Sequence, residues 1–182
     1  FDVSGRCDFF CNESTWHGLQ QGIFLPIQMR EQFRKNGINL RRGTILVGKY
    51  GVGKSLVAYL TAQEALKHGW SFLTSSSSYA QMTLNLATRL EPCVVFFEDI
   101  DAAAHGDRDA LNGLLNTISS VENKNSSELL MVFSTNFLER IDPGMLRPGR
   151  IDSIVELETP NPETVGRIIT HFGGDLLDVD NT

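Results

Sequence analysis

The sequence predicts a three-layer α/β/α sandwich built on a five-stranded parallel sheet. Three observations predict it. Strand-length apolar runs alternate with helix-length stretches along the chain, the pattern of a parallel sheet covered on both faces. The runs Cys93-Val94-Val95-Phe96-Phe97 and Leu129-Leu130-Met131-Val132-Phe133 are apolar without interruption, as strands buried on both faces are. A glycine-rich loop, Gly48-Lys49-Tyr50-Gly51-Val52-Gly53-Lys54-Ser55, joins an apolar run to a helical one.

Taken in order, residues 1–22 are polar with scattered aromatics and read as an irregular N-terminal segment. Ile23-Phe24-Leu25-Pro26 is a short apolar patch that proline should stop. A helix is expected from about Ile27 to Lys35, ending at Asn36-Gly37. Thr44 to Val47 is the first strand, and its helix runs from Lys54 to Lys67 until His68-Gly69 closes it. Trp70 to Thr74 is the second strand, and Ser75 to Ser78 a serine loop. A helix follows from Tyr79 to Leu90, with Tyr79 read as a packing aromatic. Cys93 to Phe97 is the third strand, followed by a helix between Asp107 and Val121 and a polar turn from Glu122 to Ser127. Leu129 to Phe133 is the fourth strand, and Ile151 to Leu157 contains the fifth. The chain thus divides into residues 1–22, an α/β nucleotide-binding domain over 23–158, and the start of a helical lid over 159–182.

The loop fits the phosphate-binding pattern G-x-x-x-x-G-K-[ST]. Glycines let the backbone turn several N–H groups toward one anion. That assigns Gly48, Gly51, Val52, Gly53, Lys54, Ser55 and Leu56 to the nucleotide. Lys54 would meet the β- and γ-phosphates, and the Ser55 hydroxyl would bind Mg²⁺. The following helix aims its N-terminal dipole at the same place.

The third strand ends in Glu98-Asp99-Ile100-Asp101. Adjacent carboxylates at a strand tip suit a nucleotide hydrolase, one associated with Mg²⁺ and the next with the attacking water. A dipole-stabilised acidic helix start is the plain alternative. The fourth strand leads to Ser134-Thr135-Asn136, where a neutral amide can hydrogen-bond water or a γ-phosphate. In parallel sheets ligands gather at the carboxyl ends of strands, and all three motifs stand there.

Composition sets limits. Of 182 residues, 41% are hydrophobic and 21% charged, as in an ordinary soluble domain. A net charge of −6 supplies no basic field for nucleic acid. Three cysteines, Cys7, Cys11 and Cys93, do not form a disulfide framework and suit a cytoplasmic or other reducing compartment. Cys93 reads as a small buried hydrophobe. Cys7 and Cys11 lack a second pair to complete a zinc site, and His105 reads as a residue of a polar loop with nothing beside it to suggest a metal site. No apolar run reaches membrane-spanning length. The first residue is Phe, so residues upstream of it are expected.

Ser134-Thr135-Asn136 followed by Ile141-Asp142-Pro143-Gly144-Met145-Leu146-Arg147-Pro148-Gly149-Arg150-Ile151-Asp152 resembles the second region of homology of AAA ATPases. The likeness covers about residues 15–170, including Gly37-Ile38 and Arg42-Gly43 before the first strand. It implies a nucleotide-hydrolysing module that uses ATP and Mg²⁺. Glu98 would stand at the Mg²⁺-associated position and Asp99 at the catalytic one. Asn136 would be the first sensor, and Arg147 and Arg150 the arginine fingers that reach a neighbour's γ-phosphate. Fingers acting in trans imply head-to-tail contacts that close into a ring, hence a homo-oligomer, a hexamer by family likeness, remodelling a protein partner.

The chain also departs from the family. Its acidic order is Glu-Asp rather than Asp-Glu, as in members similar to the mitochondrial folded-protein translocase. The aromatic–hydrophobic–Gly pore loop is missing between the second and third strands; only Tyr79 stands nearby. Lys49 and Tyr50 replace the family's prolines and are expected to face solvent. The lid that opens at Pro160-Asn161-Pro162-Glu163 is incomplete by Thr182. Two rival functions follow: an ATP-dependent assembly scaffold with little turnover, and a DNA-associated loader.

Overall fold

The computed structural model describes residues 9–38, 40–100, 128–141, 143–144, 146–147 and 150–172. The helix expected between Asp107 and Val121, the turn at Glu122–Ser127, and Cys7, Asp101, His105, Asp142, Met145, Pro148 and Gly149 lie outside them. Five strands form: β1 (Arg42–Val47), β2 (Ser71–Ser75), β3 (Cys93–Phe97), β4 (Leu129–Thr135) and β5 (Ser153–Glu156). Every neighbouring pair is parallel, in the order β2-β3-β4-β1-β5. The described helices are α1 (Glu13–Leu19), α2 (Leu25–Gln28), α3 (Arg30–Lys35), α4 (Lys54–Lys67), α5 (Ala80–Ala87) and α6 (Pro162–His171). This is the five-stranded parallel α/β arrangement that the alternating apolar pattern predicts.

The pleat sends alternate residues to opposite faces, and both faces are covered. Leu46, Val94, Phe96, Leu130 and Val132 point to one side, against Leu19, Ile23, Ile27 and the α4 residues Val57, Ala58 and Ala65. Ile45, Val95, Phe97, Met131 and Phe133 point to the other, against Ala80, Leu84 and Ala87 of α5. The rings of Phe97 and Phe133 stack at 5.0 Å. Double coverage is why β3 and β4 read as unbroken apolar runs. Cys93 is fully buried there; burial and then the nearby Glu91 carboxylate push its thiol up to about 12. It is the small buried hydrophobe expected.

The strand order positions the site. From β1 the chain crosses to the far edge as β2, then returns through β3 and β4 to lie beside β1 again. The carboxyl ends of β3, β4 and β1 therefore stand side by side. Val47 aligns with Thr135 and Phe97 with Phe133, so the residues just beyond them share one rim.

Three expectations need correction. The segment read as irregular holds α1, whose Leu19 is fully buried. Only Thr15 and Leu19 face the core, too few for a periodic apolar pattern to register. Ile23-Phe24-Leu25-Pro26 is not a stop. A π-type turn over Gln20–Phe24 runs into α2, with the Leu25 N–H donating to the Gln20 carbonyl, and Pro26 sits in the first turn of α2. The π-type turn just before it already breaks the regular hydrogen-bond ladder, so a residue with no N–H is accommodated there. Tyr79 does not pack: it ends a 3₁₀ turn and is 67% exposed.

Two polar ties fasten the ends of the sheet. Asn12 is buried; its Nδ2 donates to Glu158 Oε2 and to the Thr159 carbonyl, while its Oδ1 accepts from Asn161 N and Thr164 Oγ1. One amide thus holds the start of α6 against the N-terminal segment. At the other tie, Gly43 N donates to Asp152 Oδ2 at 3.0 Å, and Asp152 N to the Gly43 carbonyl at 2.7 Å. The Arg150 carbonyl lies where a Cβ on Gly43 would be. Gly43→Ala must therefore displace the turn carrying Arg147 and Arg150. Calorimetry should show a loss of about 1–3 kcal/mol, with Tm falling by roughly 2–4 °C per kcal/mol.

Candidate functional site

The loop after β1 owes its shape to three glycines. Gly51 and Gly53 have φ of 81° and 104°, a region that costs other L-residues free energy. Gly48 is needed for space: a Cβ there would lie 2.6 Å from Val52 Cγ2 and 2.7 Å from the Leu157 carbonyl. The Gly48 N–H donates to the Thr135 carbonyl at 3.1 Å, tying the loop to the end of β4. Val52 and Leu157 form the back wall, and the Phe9 ring approaches Gly53. The loop then feeds α4, with Lys54 and Ser55 in its first turn. Fourteen residues of helix direct a partial positive charge at this rim. Tyr50 and Lys49 face solvent as expected.

Lys54 is the centre of the polar contacts. Its Nζ donates to the Gly48 carbonyl at 2.6 Å, the Lys49 carbonyl at 3.0 Å and Asn136 Oδ1 at 2.7 Å. An ammonium has three protons to donate, and each has an acceptor. The Tyr50 ring lies 5.8 Å from the same nitrogen. Asn136 in turn donates from Nδ2 to Asp99 Oδ1 at 3.4 Å. The orientation of the amide follows from its neighbours. Lysine only donates, so it takes the oxygen; carboxylate only accepts, so it takes the nitrogen. The loop, β4 and β3 are thus linked through Lys54, Asn136 and Asp99.

The remaining predicted residues are disposed differently. Ser55 is exposed on the rim at the start of α4. Glu98 N donates to the Ser75 carbonyl at 3.0 Å. The Glu98 side chain lines a groove of about 490 Å³ with Ser75, Tyr79, Met82 and Leu86, on the β2–α5 side. Arg147 is exposed, and Arg150 Nη1 donates to the Gly144 carbonyl at 2.8 Å. The two arginines share one short turn closed by Arg150 N to the Arg147 carbonyl.

The donor set is compatible with a hard divalent cation. Ser55 and the two carboxylates offer only oxygen, and the loop carbonyls of Gly48 and Lys49 are held by Lys54. Among the described residues no group of three His, Cys, Asp or Glu side chains clusters as a metal site, and no helix is long and apolar enough to cross a membrane.

Sequence reasoning overlooked three contributors. Asn12 and Phe9 lie in a segment without periodicity, and Leu157 acts through its carbonyl and Cβ, which no residue pattern encodes. Only Gly48 hinted that a wall stood close by.

The sequence also resembles known proteins. Residues 44–159 match the family model "ATPase family associated with various cellular activities (AAA)". The chain is 29% identical over 163 residues to a proteasome-activating nucleotidase of Sulfurisphaera tokodaii, covering 80% of this chain and 42% of that protein. It is 28% identical over 181 residues to 26S proteasome regulatory subunit 6A of Schizosaccharomyces pombe, covering 89% and 41%. A third relative, 26S proteasome regulatory subunit 10B homolog A of Arabidopsis thaliana, is 27% identical, with 80% and 41% covered. The chain spans about two fifths of the length of these curated relatives. The family match takes in the glycine loop, the carboxylates at the end of β3, the Asn136 amide and the arginine turn, and the chain belongs to the AAA ATPases.

Proposed function

We propose that this chain binds ATP with Mg²⁺ and hydrolyses it, and that hydrolysis drives the remodelling of a protein partner. The single observation that carries the reading is the Lys54–Asn136–Asp99 linkage across three neighbouring chain segments. Magnitudes favour phosphate over the present partners of Lys54. Two unit charges 4 Å apart attract by about 4 kcal/mol at an effective dielectric of 20. A charge-assisted hydrogen bond nets roughly 1.5–3 kcal/mol. A triphosphate would therefore draw Lys54 from Asn136 Oδ1 and free that oxygen to accept from water.

The roles follow from reach. Loop amides and Lys54 hold the β- and γ-phosphates, and Ser55 would hold Mg²⁺, joined by Glu98 once its carboxylate turns from the β2–α5 groove toward the loop; the ion would offset phosphate charge. Asp99 accepts a proton from the attacking water, and Asn136 orients that water between itself and the γ-phosphate. Arg147 is exposed and Arg150 is half-buried against the Gly144 carbonyl; in this reading both offset γ-phosphate charge in a neighbouring copy. That geometry calls for a closed homo-oligomeric ring, which we propose to be a hexamer. Residues 23–158 form the nucleotide domain in this reading, and α6 opens a lid. The Glu98-Asp99 order supports placement near members similar to the mitochondrial folded-protein translocase. The proteasomal relatives, by their names, support a protein as the partner. A net charge of −6 disfavours DNA, and the cysteine usage suits a reducing compartment.

One observation favours a second reading. Glu98 lines the groove beside α5, so turnover could be slow and ATP could act mainly to assemble a scaffold. The reaction itself separates the two. In the assembled wild-type protein, phosphate release should follow ATP addition. Lys54→Ala should lower ATP affinity by about three orders of magnitude, the equivalent of roughly 4 kcal/mol. Asp99→Asn should keep affinity and lower kcat by roughly 10²–10⁴-fold. Assembly on ATP without phosphate release would favour the scaffold. A Lys54→Ala protein with unchanged affinity would remove the nucleotide site.

A separate outcome concerns the loop. Gly48→Ala should preserve the fold and weaken ATP binding at least tenfold by titration calorimetry, because Val52 or the loop itself must move.

A further inference from the structure

The geometry points to Ser134 as a positioning residue for hydrolysis: its buried hydroxyl holds the backbone turn that aims the Asp99 carboxylate. The inference rests on the reading of Asp99 as the water-activating group.

Among the described residues Asp99 is the only non-glycine with positive φ, at 45°. The reason lies in where β3 stops. Glu98 N still bonds the Ser75 carbonyl of the neighbouring strand. One residue later the chain turns, and the Asp99 N–H donates instead to Ser134 Oγ at 3.0 Å. Ser134 is 3% exposed and sits within β4, aligned with Leu46 of β1. The acceptor is therefore fixed by the sheet rather than by a loop.

A left-handed residue needs such a fixed partner to persist. Aspartate is among the side chains that tolerate the conformation best. These facts together account for the Glu98-Asp99 order. A glutamate at position 99 would reach the water by side-chain length. Here the chain is one methylene shorter, and the left-handed turn supplies the direction. The carboxylate then arrives within 3.4 Å of Asn136 Nδ2. Without the Ser134 oxygen, the Asp99 N–H loses its acceptor. The turn is then free to relax toward ordinary φ and swing the carboxylate off Asn136. Ser134 touches neither nucleotide nor water in this scheme; it acts through Asp99.

The test measures steady-state ATP turnover in the full-length, assembled protein. Ser134→Ala should lower kcat about tenfold or more, the usual scale for supporting residues, with KM within twofold of wild type. Ser134→Thr, which keeps the acceptor, should restore most of the rate. In an Asp99→Asn background, Ser134→Ala should have no further effect on kcat. An unchanged kcat in Ser134→Ala overturns the inference and leaves the ATPase reading intact. So does a loss that appears equally in KM and in thermal stability, or one that adds in full to Asp99→Asn. If Ser134→Ala fails to fold, Ser134→Cys provides the same comparison with a poorer acceptor. A wild-type assembly without turnover would instead defeat the reading of Asp99 on which the inference stands.

Discussion

Everything at the rim depends on the ammonium of Lys54. Its Nζ contacts the loop, through the Gly48 and Lys49 carbonyls, and the residue just beyond β4, through Asn136. A cation in this position does two opposing jobs. It satisfies carbonyls that the glycine turns leave facing inward, and it stays exchangeable, because carbonyl and amide dipoles bind it less strongly than phosphate would. The loop geometry makes this workable. Gly48 lets Val52 and Leu157 close against the backbone, and the positive φ at Gly51 and Gly53 brings the chain round so that Lys54 begins α4.

The sheet supplies what the loop cannot. Hydrolysis needs an anion cradle, a water-directing amide and a carboxylate within a few ångströms, from parts of the chain up to about 88 residues apart (Gly48 to Asn136). The order β3-β4-β1 places their sources on adjacent strands. Backbone ladders hold those strands in a fixed register, so catalytic spacing is set by hydrogen bonds well away from the chemistry. The Asn136 amide then reads both neighbours at once, accepting from lysine and donating to aspartate.

Much of this was legible in the sequence, for physical reasons. Strands buried on both faces leave unbroken apolar runs, so β3 was marked at Cys93–Phe97 and β4 found from its first residue. Helix α4 was legible at both ends, because a phosphate loop starts it and His68-Gly69 ends it. Other features were not. Helix α1 hides among polar residues, since it needs only Thr15 and Leu19 inward. Pro26 misled because the position of a proline within a turn, not its presence, decides whether a helix stops. Glu98 and Asp99 were given separate roles at one strand tip, but their separation in space was not legible: Glu98 lines the β2–α5 groove while Asp99, at positive φ, meets Asn136. Local pattern carries little information about a backbone dihedral set by a hydroxyl 35 residues away.

The central claim is convergence: Lys54, Asn136 and Asp99 serve one terminal phosphoryl group. A crystal structure with Mg²⁺ and a non-hydrolysable ATP analogue tests it most directly. The account predicts Lys54 Nζ on a γ-phosphate oxygen, with Asn136 and Asp99 both within hydrogen-bond reach of a single water behind that phosphorus. A γ-phosphate bound beyond the reach of Asn136, or an ordered water held by neither Asn136 nor Asp99, would contradict it.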